Sequence, residues 1–449
     1  MGSEVIPGEL DLFKRPHFQA AIEHSNFIQI RSINSIADSS TIEFDLPISS
    51  DEYLDLQNVF IMIKGNAVKS GDGTNYDATF DNRFELINYG VNNIFDQVAI
   101  YMNGTMVSQS SKTHAYQTYI QALTENTPDE IRTSLKPGGF ASPFGNDAFN
   151  ANVIDPRLAN IVSRSRIFTL YGKLHADIFR IDRLLLNGVT LHIQLMRAQN
   201  TFIFRGAAAR AEVAAVGNVP AVPAIAASEP KLNLRDCVLF VRKVKISPRL
   251  LISQANRLHE GYKAIYPFKR TNMKVLNLPP NQRSFTLDNI YMGQLPSKII
   301  MGIVSNDAFA GSYLTNPLRF QHHNLSFLAF DINGEMYPKT PYEPDFANNN
   351  YHREYYDFLL NLGAINSNLT PLIDMENWAN NLCLYCVNFN PDFQNTIGSE
   401  FVPLAKEGFL SISLRFSENL VNALKVVCYA EFNNNIEIDA ARNVSVDFT

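Results

Sequence analysis

The residues best suited to chemistry in this 449-residue sequence are two cysteines, Cys383 and Cys386. Their C-x-x-C spacing is shared by many metal-binding and redox sites. The flanking residues 382–387 are typical of a β-strand, in which positions i and i+3 point to opposite faces. The sequence has no second C-x-x-C pair and no neighbouring histidine pair to complete a set of four metal ligands. We therefore interpret both cysteines as structural.

Histidines and acidic loops give no stronger signal. His322 and His323 are adjacent, so in a strand they would face opposite ways and would not share a metal ion. His192 falls on the polar face of a strand predicted at 189–195. The loop 70–73 lacks the ligand spacing of an EF-hand, and the sequence contains neither a G-x-x-x-x-G-K-[ST] loop nor a G-x-S-x-G elbow. The sequence therefore predicts no catalytic, cofactor-binding or metal-binding residues, and we expect no enzymatic activity.

The charge balance argues against nucleic-acid binding as the main activity. The chain has 38 Lys and Arg against 44 Asp and Glu, a formal net charge of −6. Non-specific binding to phosphates needs a basic surface, so we expect at most weak contact with DNA. One local basic cluster is explained as solvated positions along a strand edge: Arg242, Lys243, Lys245 and Arg249.

Targeting signals and disulfides are not indicated. The first 12 residues lack the charged-then-apolar pattern of a secretory signal. No apolar run approaches the roughly 20 residues of a membrane-spanning helix. Four cysteines are too few for a disulfide framework in a chain of this length. These features predict a soluble protein that is made inside the cell.

Most of the local pattern is that of short strands and tight turns. Apolar and polar residues alternate at 41–46, 189–195, 410–416 and 444–448, which predicts strands with one buried face. Asn-Gly pairs at 103–104, 187–188 and 333–334 supply the two positive-φ positions of a type I′ turn, so each predicts a β-hairpin.

Helices are predicted to be few and short. Helical spacing of apolar residues occurs at 114–124 and 351–362, and a third helix is predicted after Ser247 as N-cap with Pro248 in the first turn. Residues 206–230 are rich in Ala, Val, Gly and Pro and have no strand or helix period. We expect an exposed loop there, outside the sheets; the alternative is a flexible linker between domains.

The two halves of the chain are similar in order. Four features recur: the strand at 41–46 with 284–289, Asn103-Gly104 with Asn333-Gly334, the helix at His114 with that at His352, and the strand at 168–170 with 410–412. Two modules of this size, each with about eight strands, fit jelly rolls. The predicted fold is all-β, with two tandem eight-stranded antiparallel jelly rolls and short helices in the connections. We expect an N-terminal arm at 1–24, a first jelly roll at 25–235 and a second at 236–449.

Over nearly its whole length the sequence resembles the major capsid proteins of Polinton (Maverick) elements and the related adintoviruses. The matching stretches are 41–44, 52–56, 91–108, 172–177, 183–188, 240–244, 283–289, 306–313 and 429–432. The resemblance implies a double jelly roll, homotrimers with a pseudo-hexagonal outline, and an icosahedral shell around a double-stranded DNA genome. It also implies penton and minor capsid proteins as partners, a place in the virion capsid, and no catalytic residues.

A carbohydrate-binding or glycan-processing protein is the alternative from another functional class. Jelly rolls host lectins as well as capsid proteins, so the fold alone does not decide between them. The missing secretory signal and the missing disulfide framework weigh against this alternative.

Overall fold

The computed structural model describes residues 18–36, 39–46, 50–71, 73–77, 83–109, 112–142, 154–206, 229–365, 372–390 and 406–446. Residues 1–17 of the expected arm and residues 207–228 of the expected Ala- and Pro-rich loop lie outside this described part. The two ends of that loop belong to strands, because Gly206 ends one strand and Pro230 begins the next.

Strands dominate the described part, and all pairings between them are antiparallel. They are β1 (Ile22–Arg31), β2 (Thr41–Leu46), β3 (Glu52–Lys69), β4 (Phe84–Leu86), β5 (Phe95–Met102), β6 (Thr105–Gln109), β7 (Phe168–Lys173), β8 (Leu191–Arg197), β9 (Phe204–Gly206), β10 (Pro230–Ile246), β11 (Ala264–Leu278), β12 (Ser284–Gln294), β13 (Lys298–Ser305), β14 (Leu325–Ile332), β15 (Glu335–Tyr342), β16 (Leu384–Asn388), β17 (Glu407–Phe416), β18 (Leu424–Ile438) and β19 (Val444–Val446).

The helices are short and lie in the connections. They are α1 (Gly90–Asn93), α2 (His114–Glu125), α3 (Pro128–Arg132), α4 (Pro156–Val162), α5 (Asn200–Ile203), α6 (Pro248–His259), α7 (Asn306–Ala310), α8 (His352–Leu362) and α9 (Met375–Asn380). The three predicted helices are confirmed as α2, α8 and α6. Ser247 is the N-cap of α6 and Pro248 its first residue, a position where the missing N–H of proline costs no hydrogen bond.

The sheets repeat one topology twice. In the first half the strand orders are β1-β10-β3-β7 and β2-β8-β5-β6. In the second half they are β11-β18-β13-β16, with β19 added on β18, and β12-β17-β14-β15. Each of the eight strands in these two sheets of the first half thus has a counterpart at the same place in the second, while β4 and β9 of the first half pair with each other in a separate two-stranded sheet. Two four-stranded sheets per half give the predicted pair of eight-stranded jelly rolls, and that prediction is confirmed.

We call the strands β1–β10 with their helices the first module, and β11–β19 with theirs the second module. The long strand β10 pairs with both β3 and β1 along its length. The boundary expected between residues 235 and 236 falls inside this strand. The connection between the modules is therefore α6, which follows β10 directly.

The predicted repeat is confirmed in three of its four features. The strands at 41–46 and 284–289 fall in β2 and β12, which occupy the same edge of their sheets. The two Asn-Gly hairpins join β5 to β6 and β14 to β15, and α2 and α8 follow them. The fourth pairing is wrong, because the strand at 168–170 is part of β7, whose counterpart is β16. The strand at 410–412 is part of β17, the counterpart of β8.

The Asn-Gly turns are confirmed at two of the three pairs. Asn103 and Asn333 have φ of 48° and 54°, and their glycines also have positive φ, as a type I′ turn requires. The third pair, Asn187-Gly188, does not form a hairpin turn, since only its glycine has positive φ. The residues just before this pair form only an isolated β-bridge at Leu185. They do not form a strand that a turn at Asn187-Gly188 could connect to β8.

Each module buries its core between its two sheets. In β8 the residues Leu191, Ile193 and Leu195 are fully buried and alternate with partly exposed polar residues. In β17 the same alternation buries Leu410 and Ile412. Period-two patterning therefore gives each strand one face for the core and one for the outside.

Candidate functional site

The two cysteines of the C-x-x-C pair are buried in the second module. Cys386 lies in β16, and Cys383 directly precedes this strand. Both are free thiols, and burial raises the pKa of Cys386 to about 12. Among the described residues there is no group of three or more His, Cys, Asp or Glu side chains placed to hold a metal ion. Both thiols are packed in the hydrophobic core.

The histidines considered as metal ligands lie apart from one another. His192 is on the outer face of β8, with its Nδ1 2.5 Å from an Oδ1 of Asp45 in β2. The strand considered for His322 and His323 is wrong, because they form a turn before β14 in which His323 has φ of 45°. The His322 ring stacks on Phe346, with the ring centroids 4.0 Å apart. A hydrogen bond therefore positions the His192 ring, and stacking positions the His322 ring.

The basic cluster near the end of β10 is partly neutralised by β3. Arg242 donates to Asp55 at 2.9 Å, and Lys243 donates to Glu52 at 3.0 Å. These pairs lie across neighbouring strands of one sheet. Two of the four residues in the cluster are therefore held in cross-strand ion pairs, whereas Lys245 and Arg249, the latter in α6, are exposed.

The contact between the two modules contains a buried polar network. The helix α2 of the first module is buried from His114 to Thr124. Its Tyr116 ring stacks on Phe309 of the second module at 5.5 Å, and its Gln121 donates to the hydroxyl of Tyr429 in β18 at 3.3 Å. We call this contact of α2 and the neighbouring 3-10 turn Asp177–Arg180 with β11, β13 and β18 the module junction.

A buried carboxylate lies at the centre of the module junction. Glu431 of β18 accepts from Lys298 of β13 at 3.1 Å and from Lys269 of β11 at 3.4 Å. The Tyr429 hydroxyl donates to the same carboxylate at 2.9 Å. Burial alone would raise the pKa of Glu431, but the charges of Lys298, Lys269 and Arg180 outweigh it and hold this pKa well below its usual range. The carboxylate is therefore charged and fully paired.

A directional chain of hydrogen bonds reaches this carboxylate from the first module. Burial lowers the pKa of His175 to about 3, so its ring is neutral. The Nε2 of His175 is 2.8 Å from the hydroxyl of Tyr89, and the Nδ1 of His175 is 3.2 Å from Oε1 of Gln121. Because the Gln121 amide nitrogen donates to Tyr429, Oε1 must accept, and His175 carries its proton on Nδ1. Each hydrogen bond in this series, from Tyr89 through His175 and Gln121 to Tyr429, is thus donated in the direction of Glu431.

A second buried acid ties the 3-10 turn to the second module. Asp177 accepts from the side chain of Gln117 at 3.0 Å and from the backbone N–H of Thr271 in β11 at 2.9 Å. Burial raises the pKa of Asp177 to about 6. Arg180, at the end of the same turn, donates to Glu125 at 2.6 Å. The junction is fixed by specific polar contacts as well as by apolar packing.

Sequence reasoning did not identify this network. Its residues are far apart in the chain, since Gln121 and Tyr429 are separated by 308 positions. One signal was present: Glu431 interrupts the apolar run of β18, where a charge is costly unless it is paired. The stretches 172–177 and 429–432 that carry the family resemblance contain His175, Asp177 and Glu431.

The outer face of the first module has a different character. Across β1, β10, β3 and β7 of one sheet, four aromatic rings lie in neighbouring strands with centroids 5.6–6.0 Å apart: Phe27, Phe240, Phe60 and Tyr171. Phe27 is 53% exposed and Tyr171 39% exposed. We call these four residues the aromatic stripe. Clusters of exposed apolar side chains of this kind commonly mark interaction sites.

The helix α8 is the counterpart of α2 but is only half buried. It packs on its own module, the second, and buries Glu354, Phe358 and Leu362 there. Tyr356 is 57% exposed, and Arg353 is exposed beside it.

In the described part of the chain, no helix is both long enough and apolar enough to cross a membrane.

Comparison with known proteins gives few relatives by sequence. No protein-family profile matches the chain. An uncharacterized protein of Caenorhabditis elegans is 20% identical over 441 residues, which cover 96% of this chain and 99% of that protein. The similarity therefore extends from end to end of both proteins.

Comparison of structures is more informative. A chain in the Sputnik virophage structure covers 100% of this chain and 93% of its own length, with a TM-score of 0.61 and 12% identity. The Faustovirus major capsid protein matches 94% of this chain and 92% of its own length, with a TM-score of 0.56 and 11% identity. The mavirus major capsid protein matches 100% and 95%, with a TM-score of 0.54 and 12% identity. The fold of this chain is therefore the double jelly roll of viral major capsid proteins.

Proposed function

We propose that this chain is a major capsid protein. Three copies form a trimer with a pseudo-hexagonal outline, and the trimers build an icosahedral shell around a double-stranded DNA genome. The observation that carries the proposal is the repeated sheet topology, in which the two modules have the same strand order. Three chains with two equivalent modules each supply six similar units, which suits a six-sided building block.

Other features support the same proposal. The structural likeness covers nearly all of this chain and of the Faustovirus and mavirus major capsid proteins. The sequence resemblance adds the Polinton and adintovirus lineage. The basic cluster at Arg242 and Lys243 is ion-paired, which agrees with no more than weak contact with packaged DNA. The proposed partners are further copies of the chain, penton proteins and minor capsid proteins, and the proposed location is the virion capsid.

The proposal also defines the domains and the expected chemistry. The first jelly roll extends through the end of β10, and the second begins after α6, while residues before β1 form an arm. We propose that function depends on contacts between subunits and requires no catalytic residue, metal or cofactor.

Electron microscopy and light scattering of the purified protein test the proposal. We expect trimers in solution and pseudo-hexagonal particles or shells on the grid, unchanged in yield and melting temperature by a chelator. The variant Leu191→Asp is the folding control, because it places an unpaired charge in the core of β8 and should abolish trimers by unfolding. A folded monomer at high concentration would contradict the proposal. Selective binding to a glycan array by that monomer would favour the carbohydrate-binding alternative.

A further inference from the structure

We propose that residues 4–13 of the N-terminal arm bind in a groove beside α6 of the same chain. The groove has a volume of about 870 Å³ and lies between α6, the segment 183–186 and the start of β11. We call it the α6 groove. The inference goes beyond the proposed function and does not depend on it, because it concerns a contact within a single chain.

The walls of the α6 groove are held in place by hydrogen bonds. On one side, Gln254 of α6 accepts from the hydroxyl of Tyr53 in β3 at 2.6 Å. On the other side, the hydroxyl of Tyr266 in β11 accepts from the backbone N–H of Leu186 at 3.0 Å and donates to the carbonyl oxygen of Leu184 at 3.2 Å. The groove is therefore formed in advance by contacts between the two modules and the helix that connects them.

Apolar side chains that line the α6 groove are exposed. Tyr262 is 66% exposed, Ile265 is 45% exposed and Ile22 is 37% exposed. Burying apolar surface is favourable, and exposed clusters of apolar side chains commonly mark interaction sites. The groove therefore favours a segment that brings apolar side chains of its own.

The α6 groove is also positively charged. Its described lining contains the cations Arg183, Arg257 and Lys263, against the single acid Glu260. Arg183 donates to a backbone carbonyl at 2.6 Å, Lys263 pairs with Glu437 at 2.8 Å, and Arg257 is exposed. A groove with apolar walls and an excess of cations selects a partner that is both apolar and acidic.

The first part of the N-terminal arm has this composition. Residues 1–13 contain three acids, Glu4, Glu9 and Asp11, and no Lys or Arg. Apolar side chains lie between and beside these acids: Val5, Ile6, Leu10, Leu12 and Phe13. The charge of the segment is therefore complementary to the charge of the groove, and its apolar residues match the exposed ones.

The chain also enters the α6 groove where the arm must begin. Ala21 and Ile22 line the groove. The carbonyl oxygen of Ala21 accepts from the backbone N–H of Ser247, the N-cap of α6, at 2.8 Å, and Ile22 pairs with Ile246 at the end of β10. These contacts fix the end of the arm at the edge of the groove.

The short distance along the chain favours the arm of the same chain over that of a second copy. Residue 13 lies eight positions before Ala21, a stretch that extends over at most roughly 28 Å. A flexible tether of this length keeps its attached segment at an effective concentration on the order of millimolar. A neighbouring copy would have to be present at a similar concentration to compete.

Photo-crosslinking in the full chain tests the contact. A benzophenone amino acid replaces Leu10, isotopically heavy and light chains are assembled together, and the crosslinked peptides are identified by mass spectrometry. We expect crosslinks from the arm to residues 248–266 that never join a heavy chain to a light one. Mixed crosslinks would overturn the inference in favour of arms exchanged between copies. Crosslinks confined to other segments would overturn it and leave the groove to another occupant.

Protection from protease measures the contribution of the charges. Chymotrypsin cleaves after Phe13, at the end of the proposed contact, and the loss of residues 1–13 is followed by the mass of the intact protein. Arg257→Glu should speed this cleavage by about fivefold or more, the factor that corresponds to losing one exposed ion pair. Combining it with Asp11→Lys should restore part of the protection.

The matched control is Arg249→Glu, the same change at an exposed position of α6 that does not line the groove. The arm of this control should be cleaved at the rate of the unsubstituted chain. Equal cleavage rates in Arg257→Glu and Arg249→Glu would show that the cations of the groove do not hold the arm, and would overturn the inference.

Discussion

Glu431 shows how a single charge is kept in the interior of this protein. Its carboxylate accepts from two lysines on the two neighbouring strands and from a tyrosine on its own strand. Removing water from such a group is costly, and the cost is offset only when its partners are well placed. The group therefore favours one relative arrangement of the strands and of the module that packs on them.

The first prediction concerns this carboxylate. Glu431→Gln leaves Lys298 and Lys269 buried without an opposite charge, which should lower the free energy of unfolding by about 3 kcal/mol or more. Urea denaturation measures the change. Glu437→Gln is the matched control, because this residue lies on the same strand and pairs with Lys263 at 2.8 Å on the surface. Exposed pairs contribute little, so the control should behave like the unsubstituted protein, and equal losses in both variants would contradict the argument.

The second prediction concerns pH and Asp177. Burial raises the pKa of this carboxyl to about 6, so the folded protein holds the proton to higher pH than the unfolded chain does. Its contribution to stability is complete below about pH 4 and is lost as the pH rises through about 6. In Asp177→Asn this loss is absent.

The stability of Asp177→Asn relative to the unsubstituted protein should therefore increase by up to about 3 kcal/mol between pH 4 and pH 7. Denaturation curves across that range provide the measurement. Asp288→Asn, the same change at an exposed site in β12, controls for the altered net charge. A relative stability that falls with pH would refute the assignment.

At the scale of elements, the packing of β13 against α2 depends on one glycine. A Cβ on Gly302 would lie 2.8 Å from Leu384 and closer still to the ring of Phe320. That ring packs edge-on against Tyr116 of α2 at 6.2 Å. The absence of a side chain at Gly302 thus lets the Phe320 segment lie on the sheet and reach the helix.

The third prediction is that Gly302→Ala destabilises the protein by about 1–3 kcal/mol, because overpacking forces Phe320 to move. Thermal and urea denaturation are the measurements. Gly71→Ala is the matched control, since a Cβ there meets no atom within 4 Å. Equal stability of the two variants would show that the contact at Gly302 relaxes without cost.

The elements that the sequence predicted are those whose signal is local. Alternation in β2, β8 and β17 and the turns at Asn103 and Asn333 depend on neighbouring residues, and these predictions are confirmed. The partner of a strand is not a local property, which is why the segment at 410–412 was matched to the wrong strand. The module junction was also beyond prediction, because Asp177 and Thr271 meet only after both modules have folded.

At the scale of the whole molecule, the module junction and the aromatic stripe differ in their chemistry. The module junction is polar and directional, and the aromatic stripe is apolar and exposed. Hydrogen-bonded charges favour one geometry, whereas apolar burial is non-directional and tolerates small differences in orientation. In the proposed shell, a chain arranged in this way would keep its two modules fixed while its outer surface accommodated contacts that differ slightly from place to place.

The last prediction follows from assembly by mass action. Binding that involves only folded chains stabilises them in proportion to the logarithm of concentration, so about a hundredfold more protein should add on the order of 2 kcal/mol per chain. The melting temperature should therefore rise by a few degrees over that range when measured at one scan rate. Tyr171→Arg, which places a charge on the aromatic stripe, should lose this dependence if the stripe contacts a neighbouring chain, while Val421→Arg, at a residue that is 86% exposed and outside the stripe, should retain it. A melting temperature that is independent of concentration in the unsubstituted protein would mean that its folded state does not depend on neighbouring chains.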